Sequence, residues 1–183
     1  MVADGAGALL GLAGGRSFKS VTGCPLPASR AADWLTSTWD QNAALYPCGP
    51  SAAVVEEIAG AWLKDLLGLP AHASFAFVTG CQAAHTTCLA AARHRVLKNK
   101  GWDVEKQGLA GSPVIRILAG EHGHHTLERS LRLLGLGTGH LSPLPLDTKG
   151  RLSAKPLEDA LPSEPTIVCP QAGDINRGAY VAF

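Results

Sequence analysis

The amino-acid sequence predicts an α/β domain in which helices flank a largely parallel β-sheet. Three short apolar runs predict this fold class, because each has the length of a buried strand and both intervals between them contain helical runs. The predicted strands are residues 74–79, 114–119 and 166–169. Parallel strands require crossover connections, which are right-handed, and sheets of this kind bind ligands beyond the carboxyl ends of their strands.

The chain divides into two predicted parts. Residues 1–70 are expected to form an N-terminal arm and helix, in which residues 1–30 are irregular because glycine, alanine and proline dominate them without clear periodicity. Residues 51–67 predict the helix, since apolar side chains recur along one face at helical spacing, and Gly68 provides the stop. Residues 71–183 carry the strands and are expected to form the second domain.

Three further helices are predicted in the second domain. Residues 82–98 follow the first strand and present a narrow face of small side chains, which allows close packing on a sheet. Residues 126–134 and 153–161 predict the other two helices, with Ser153 as the N-cap of the last. The polar, glycine-bearing stretch 98–112 predicts a surface loop.

Composition excludes several classes of protein. Hydrophobic residues make up 46% and charged residues 17%, a composition that argues against a disordered chain. The net charge is +1 and no basic run is interleaved with aromatics, so neither nucleic acid nor a membrane is a predicted partner. The five cysteines are odd in number and lack a CxxC pair, which predicts a reducing cytoplasm. Residues 1–15 are apolar but short and without a basic start, so neither a signal peptide nor a membrane helix is expected.

The strand ends contain the candidate binding residues. They are residues 79–82, 120–126 and 170–176. In the first, Gly80 lies between a strand and a helix start, where free N–H groups and the helix dipole favour a phosphate. An ordinary β-α turn is the alternative, because the repeated glycines of a dinucleotide site and the lysine of a P-loop are missing.

The second strand end contains three histidines, His122, His124 and His125. Imidazoles are good zinc ligands, but no spacing supplies further ligands, so no metal site is predicted. One capping and two exposed histidines form the plainer alternative, and an imidazole lying flat on an aromatic cofactor ring is the third. Residues 173–178 alone predict only a turn, since Asp and Asn lie there beside glycines.

Five segments in this order resemble the group II pyridoxal-phosphate-dependent decarboxylases, the family of glutamate, aromatic-amino-acid and related decarboxylases. The resemblance runs from about Ala31 to Phe183 and rests on DWLTSTWDQNAALYPCGPSAAVVEEIAGAWLKDLLGLP, FVTGCQAAHTTCLAAARHRVL, EHGHHTLERSLRLLGLG, LPLDTKGRLSAKPLEDAL and PTIVCPQAGDINRGAY. It implies a partial large domain of fold type I, the PLP-transferase-like (aspartate aminotransferase-like) fold. That domain has a parallel-rich sheet with flanking helices and is preceded by a helical N-terminal arm.

The resemblance also implies a site for pyridoxal 5′-phosphate (PLP). The implied cofactor-binding residues are Gly80, Cys81, Gln82, His124, Asp174 and Ile175. The first three would hold the phosphate, and His124 would stack on the pyridine ring and assist substrate protonation as the catalytic residue. The turn at Asp174 would approach the phenolic oxygen of the ring. The sequence departs from the family at Cys81, Gln82 and Ile175, where small or hydroxyl residues are usual, and at Val181, where an acidic residue is common.

The implied activity is that of a carboxy-lyase acting on an amino acid, in a protein whose full-length form is a homodimer. The family's aspartate at the pyridine nitrogen and its cofactor-binding lysine are expected further along, and none of the seven lysines follows a histidine. The chain is therefore expected to be truncated and inactive alone. An aminotransferase of the same fold and a non-catalytic remnant that only binds are the alternatives.

Overall fold

The structure is a computed structural model that describes residues 26–43, 45–161, 164–173 and 178–179. The chain separates into two compact units, Met1–Ala76 and Phe77–Phe183. The domain division proposed from the sequence at residue 70 stays a prediction. Among the helices that the structure describes, none has the length and apolar character needed to cross a membrane.

The first unit is helical in its described part. Helix α1 spans Pro27–Trp39, a 3-10 turn spans Tyr46–Cys48, and helix α2 spans Pro50–Leu66. The helix predicted at residues 51–67 is therefore confirmed. The irregular arm was expected to extend to residue 30, and this is wrong at its end, because Pro27 begins α1 and proline suits the first turn of a helix.

Helix α2 packs through Gly60 rather than through its apolar face. Gly60 is buried, and a Cβ built on it would lie 2.2 Å from atoms of the Phe75 ring, so only glycine lets the ring approach so closely. Lys64 Nζ lies 5.5 Å from the centre of the same ring and donates hydrogen bonds to the carbonyls of Ala71 (2.9 Å) and Ala73 (3.2 Å). Trp62, on the predicted apolar face, is 71% exposed.

The second unit is an α/β layer built on a three-stranded sheet. Its elements are helices α3 (Cys81–Lys98) and α4 (Val104–Gln107), strand β1 (Arg116–Gly120), helix α5 (His125–Leu133), strand β2 (Leu141–Leu144), helix α6 (Ala154–Ala160) and strand β3 (Thr166–Cys169). The strand order is β2-β1-β3, and both pairs are parallel. In the register, Ile117 of β1 faces Leu141 of β2 and Ile167 of β3.

Four predicted elements of this unit are confirmed with small shifts at their ends. They are the helices at residues 82–98 and 126–134 and the strands at 114–119 and 166–169. The helix at 153–161 also forms, with Ser153 at its N-cap position but without a side-chain hydrogen bond. The predicted surface loop contains the short helix α4, which Asp103 caps through hydrogen bonds from two backbone N–H groups.

One predicted strand is wrong and one strand was not predicted. Residues 73–78 form neither helix nor strand, although the pattern at 74–79 is that of a buried strand. A strand needs a hydrogen-bonded neighbour, and the described sheet ends at β2 on one side and β3 on the other. Strand β2 contains Pro143, which argues against a strand in sequence but is tolerated on the outer strand of a sheet.

The central strand β1 divides the hydrophobic core into two layers. Ile117 packs on one face with Leu97 of α3 and Leu131 of α5, and all three are at most 1% exposed. Leu118 points to the opposite face, as alternate residues of a strand do, and packs with Leu144. Helices α3 and α5 therefore lie on one side of the sheet, and the segment containing α6 covers the other.

Candidate functional site

The second unit contains a cavity beyond the carboxyl ends of β1 and β3. Its volume is about 590 Å³, within the usual range for small-molecule sites. The three segments predicted at strand ends all contribute to its lining, through Cys81, through Gly120 and His124, and through Pro170 and Gly173. The apolar floor comes from Leu89, Ala92, Leu127, Ile167 and Val168.

Gly80 sets the geometry at the first of these segments. Its φ and ψ are 159° and 175°, a region that essentially only glycine occupies, whereas a Cβ there would meet no atom within 4 Å. Glycine is thus required by the backbone and not by the space around it. Helix α3 begins at the next residue, and no side chain caps its first turn, so the N–H groups there are free to bind an anion.

Gln82 faces helix α5 and not the cavity. Its side-chain amide donates to Ser130 Oγ at 2.6 Å and to the Thr126 carbonyl at 3.2 Å. Ser130 is fully buried and also lies 3.1 Å from Thr86 Oγ1. The Gln82 side chain therefore joins α3 to α5, and what it can offer an anion is its backbone N–H in the first turn of α3.

His124 lies at the N-cap of α5 and lines the cavity. Its Nδ1 accepts a hydrogen bond from the Thr126 backbone N–H at 3.3 Å and lies 2.8 Å from Thr126 Oγ1. The same hydroxyl lies 2.8 Å from Nδ1 of His85, which also lines the cavity. Sequence reasoning missed His85, although its position four residues after Cys81 places both on one face of α3.

The remaining predicted positions lie apart or outside the described residues. His122 borders a separate small hollow beside Gly120, and the His125 ring centre lies 6.4 Å from that of His124 at a tilt of 56°. Within the described ranges, no three His, Cys, Asp or Glu side chains are arranged to hold a metal ion. Asp174 and Ile175 lie outside the described residues.

Three cysteines line the cavity, Cys81, Cys88 and Cys169. Cys81 and Cys88 are exposed, whereas Cys169 is half-buried at the end of β3, and burial raises the pKa of its thiol to about 11. The thiolate is the reactive form, so these cysteines should differ in reactivity.

We expect Cys169 to be alkylated far more slowly than Cys48, which is exposed in the first unit. At about pH 8, Cys169 with a pKa of about 11 carries roughly a hundredfold less thiolate than it would at the ordinary value of 9.0, and burial also limits access of the reagent to its sulfur. The measurement is iodoacetamide labelling followed by peptide mass spectrometry, with urea-unfolded chain as the control in which both cysteines react alike. Equal labelling rates in the folded chain would contradict the described environment of Cys169.

Comparison with known proteins supports the fold and the resemblance. No family model matches the chain. The chain is 28% identical over 154 residues to the aromatic-L-amino-acid decarboxylase of Bacillus atrophaeus, an alignment that covers 81% of this chain and 30% of that protein. The chain thus spans less than a third of the length of this curated relative.

Solved structures share the fold over most of the chain. The glutamate decarboxylase domain of diaminobutyrate-pyruvate transaminase and L-2,4-diaminobutyrate decarboxylase from Vibrio parahaemolyticus matches with a TM-score of 0.74 and 24% identity, covering 86% of this chain and 36% of that one. Mouse CSAD in its apo form gives a TM-score of 0.76 with 22% identity, covering 85% and 33%. Oryza sativa TDC with PLP and tryptamine gives 0.63 with 24% identity, covering 74% and 29%. The predicted partial PLP-transferase-like α/β fold is confirmed, and so is the resemblance to the group II decarboxylases.

Proposed function

We propose, from this resemblance to the group II decarboxylases, that the chain forms the PLP-binding front part of an amino-acid decarboxylase. The observation that supports this most is the cavity at which the three predicted strand-end segments meet. Parallel sheets bind ligands beyond the carboxyl ends of their strands, and here the cavity at the ends of β1 and β3 is lined by the open N-terminus of α3 and by the His124 imidazole. That the longer protein is a cytoplasmic homodimer is part of the proposal.

The described residues fit PLP in two respects. The first turn of α3 offers the backbone N–H groups of Cys81 and Gln82 to the phosphate, and the space beside the N-cap residue Gly80 is open. The cavity of about 590 Å³ has an apolar floor suited to the pyridine ring, and His124 lies at its rim to contact that ring. Asp174 and Ile175 are proposed to approach the ring oxygen.

When bound, PLP supplies an electron-withdrawing ring that accepts the electron pair released as the substrate carboxylate departs. The chain's own residues hold the phosphate, orient the ring and present the His124 imidazole beside it. Among the described residues that line the cavity there is no lysine and no carboxylate. As the resemblance implies, we expect this chain to bind the cofactor without joining it covalently, and we assign turnover of the amino acid to a protein that carries the family's lysine.

The proposal predicts that a phosphorylated vitamer protects Cys81 and Cys88 from alkylation. Both thiols line the cavity, and Cys48 in the first unit is an internal control. Pyridoxine 5′-phosphate is the probe, because it lacks the aldehyde that reacts with surface lysines, and unphosphorylated pyridoxine is its matched control. At saturation we expect labelling of the two cavity cysteines to slow by about fivefold or more, since a buried thiol is inaccessible to the reagent.

Mass spectrometry of the labelled peptides decides the outcome. Protection at Cys81 and Cys88 by the phosphorylated probe alone supports a phosphate-dependent site at α3. Equal protection by pyridoxine, or slower labelling at Cys48 as well, would show that the effect is unrelated to the proposed site.

A further inference from the structure

Three side chains join α3 to α5 at the edge of the cavity. Thr126 Oγ1 lies 2.8 Å from His124 Nδ1 and 2.8 Å from His85 Nδ1. The Thr126 backbone N–H also donates to His124 Nδ1, at 3.3 Å. For both histidines, therefore, the nitrogen bound inside this chain is Nδ1, and Nε2 has no hydrogen bond to the described residues.

The available protons fix how this network is arranged. Because His124 Nδ1 accepts the backbone N–H, that nitrogen carries no proton, and neutral His124 holds its proton on Nε2. The Thr126 hydroxyl then donates its single proton to the same Nδ1, whose one lone pair accepts both the hydroxyl and the backbone N–H. Its remaining contact can only be made as an acceptor, so His85 donates from Nδ1.

We propose that His85 is a further residue of this site, held by Thr126 in the Nδ1–H tautomer so that its Nε2 presents a lone pair to a ligand of the cavity. His124 presents the opposite group, an Nε2–H donor. Two imidazoles on neighbouring helices thus offer a ligand one hydrogen-bond acceptor and one donor. The assignment of the tautomers rests on the hydrogen bonds alone, and the role toward a ligand rests on the proposed function.

The chemical class that His85 Nε2 would accept is a protonated nitrogen or a hydroxyl. An amino acid carries such a donor in its ammonium group, and its carboxylate is the matching acceptor for an N–H donor. His85 lines the same cavity as His124, as one ligand contacting both would require.

The test is nitrogen NMR of the full chain labelled with ¹⁵N in its histidine rings. Spectra that correlate ring protons with both nitrogens separate protonated from unprotonated nitrogens, and a His85→Gln variant assigns the signals of residue 85. At about pH 8.5, well above the usual pKa of imidazole, we expect opposite tautomers, Nδ1–H at His85 and Nε2–H at His124. The same tautomer at both residues, or rapid averaging at His85, would overturn the proposal.

Thr126→Val gives a differential outcome. It removes the hydroxyl while keeping the backbone N–H and the side-chain shape, so His85 should lose its fixed Nδ1–H tautomer while His124 keeps its own. Thr86→Val is the matched control, because Thr86 Oγ1 bonds to Gln82 and Ser130 and to neither histidine. A change of equal size at both histidines in Thr126→Val would contradict the arrangement.

Addition of pyridoxine 5′-phosphate separates this proposal from the proposed function. The tautomers are read from the chain without any ligand, so failure of the probe to bind counts against PLP binding alone. Protection of Cys81 and Cys88 together with averaged tautomers would retain PLP binding and overturn the role of His85.

Discussion

Replacing Leu118 with alanine should lower the free energy of unfolding of the second unit by about 3 kcal/mol, the usual cost of a large cavity in a close-packed core. Leu118 lies on the central strand and is fully buried. Its neighbours Leu144 and Leu152 are themselves held by the sheet and the following segment, so they cannot collapse into the space. The effect should exceed that of any exposed substitution in this unit.

Leu133→Ala is the matched control, because it removes the same atoms from a side chain that is 67% exposed. We expect a change of no more than about 0.5 kcal/mol there. Urea unfolding followed by Trp102 fluorescence reports on the second unit, provided that the other three tryptophans are changed to phenylalanine. These three are exposed in the first unit, so the background is mild. Equal losses for the two leucines would show that β1 is not the centre of the core.

The second large effect concerns Gly60, where the sign of a substitution should depend on its neighbour. Gly60→Ala should destabilise α2 by about 1–3 kcal/mol, because the new methyl group would lie 2.2 Å from the Phe75 ring. In a Phe75→Ala background the obstacle is gone. The same substitution should then stabilise the helix by roughly 0.5–1 kcal/mol, since alanine is the better helix former.

Amide hydrogen exchange along α2 measures both backgrounds, and the double-mutant cycle isolates the contact between the two residues. The cycle also accounts for any loss caused by Phe75→Ala itself. If Gly60→Ala has the same effect with and without the ring, the close packing of Phe75 on α2 is not what makes glycine necessary.

Helical periodicity and apolar runs were sufficient to predict most of the fold. Helices α2, α3 and α5 and strand β3 form where the hydrophobic pattern of their own residues predicts them. Residues 74–79 show the limit, because a run of buried-strand character becomes a strand only beside a partner, and partners are set by the whole sheet. Strand β2 shows the reverse case, in which the register with β1 keeps a proline-containing segment in the sheet.

The positions of the candidate site that depend on local backbone geometry could be predicted from the sequence. The hydrogen-bond partners of its side chains could not. Gly80 could be found because a glycine immediately before a predicted helix marks the turn that enters it, even though the strand predicted before this glycine does not form. The direction of Gln82 depends on Ser130, which is 48 residues away, and that of His85 depends on Thr126, which is 41 residues away. No local pattern contains such distances, so the pairing of His85 with His124 required the structure.

Because of Pro143, the two edges of the sheet differ in their ability to pair with a further strand. The carbonyl of His140 accepts a hydrogen bond from Ile117 in β1, and that of Leu144 accepts one from Glu121, the residue just after β1. Leu141 and Pro143 alternate with these residues and therefore direct their backbone groups away from β1. Proline has no N–H, and a strand added outside β2 would lack a donor there. On the opposite side, Thr166 and Val168 of β3 alternate with the residues that bond to β1, so their backbone groups point away from β1. Neither residue is proline, so each has an N–H group. Extension by a further strand, whether from the same polypeptide or from another molecule, is therefore favoured beside β3, and aggregation through exposed strand edges should begin on that side.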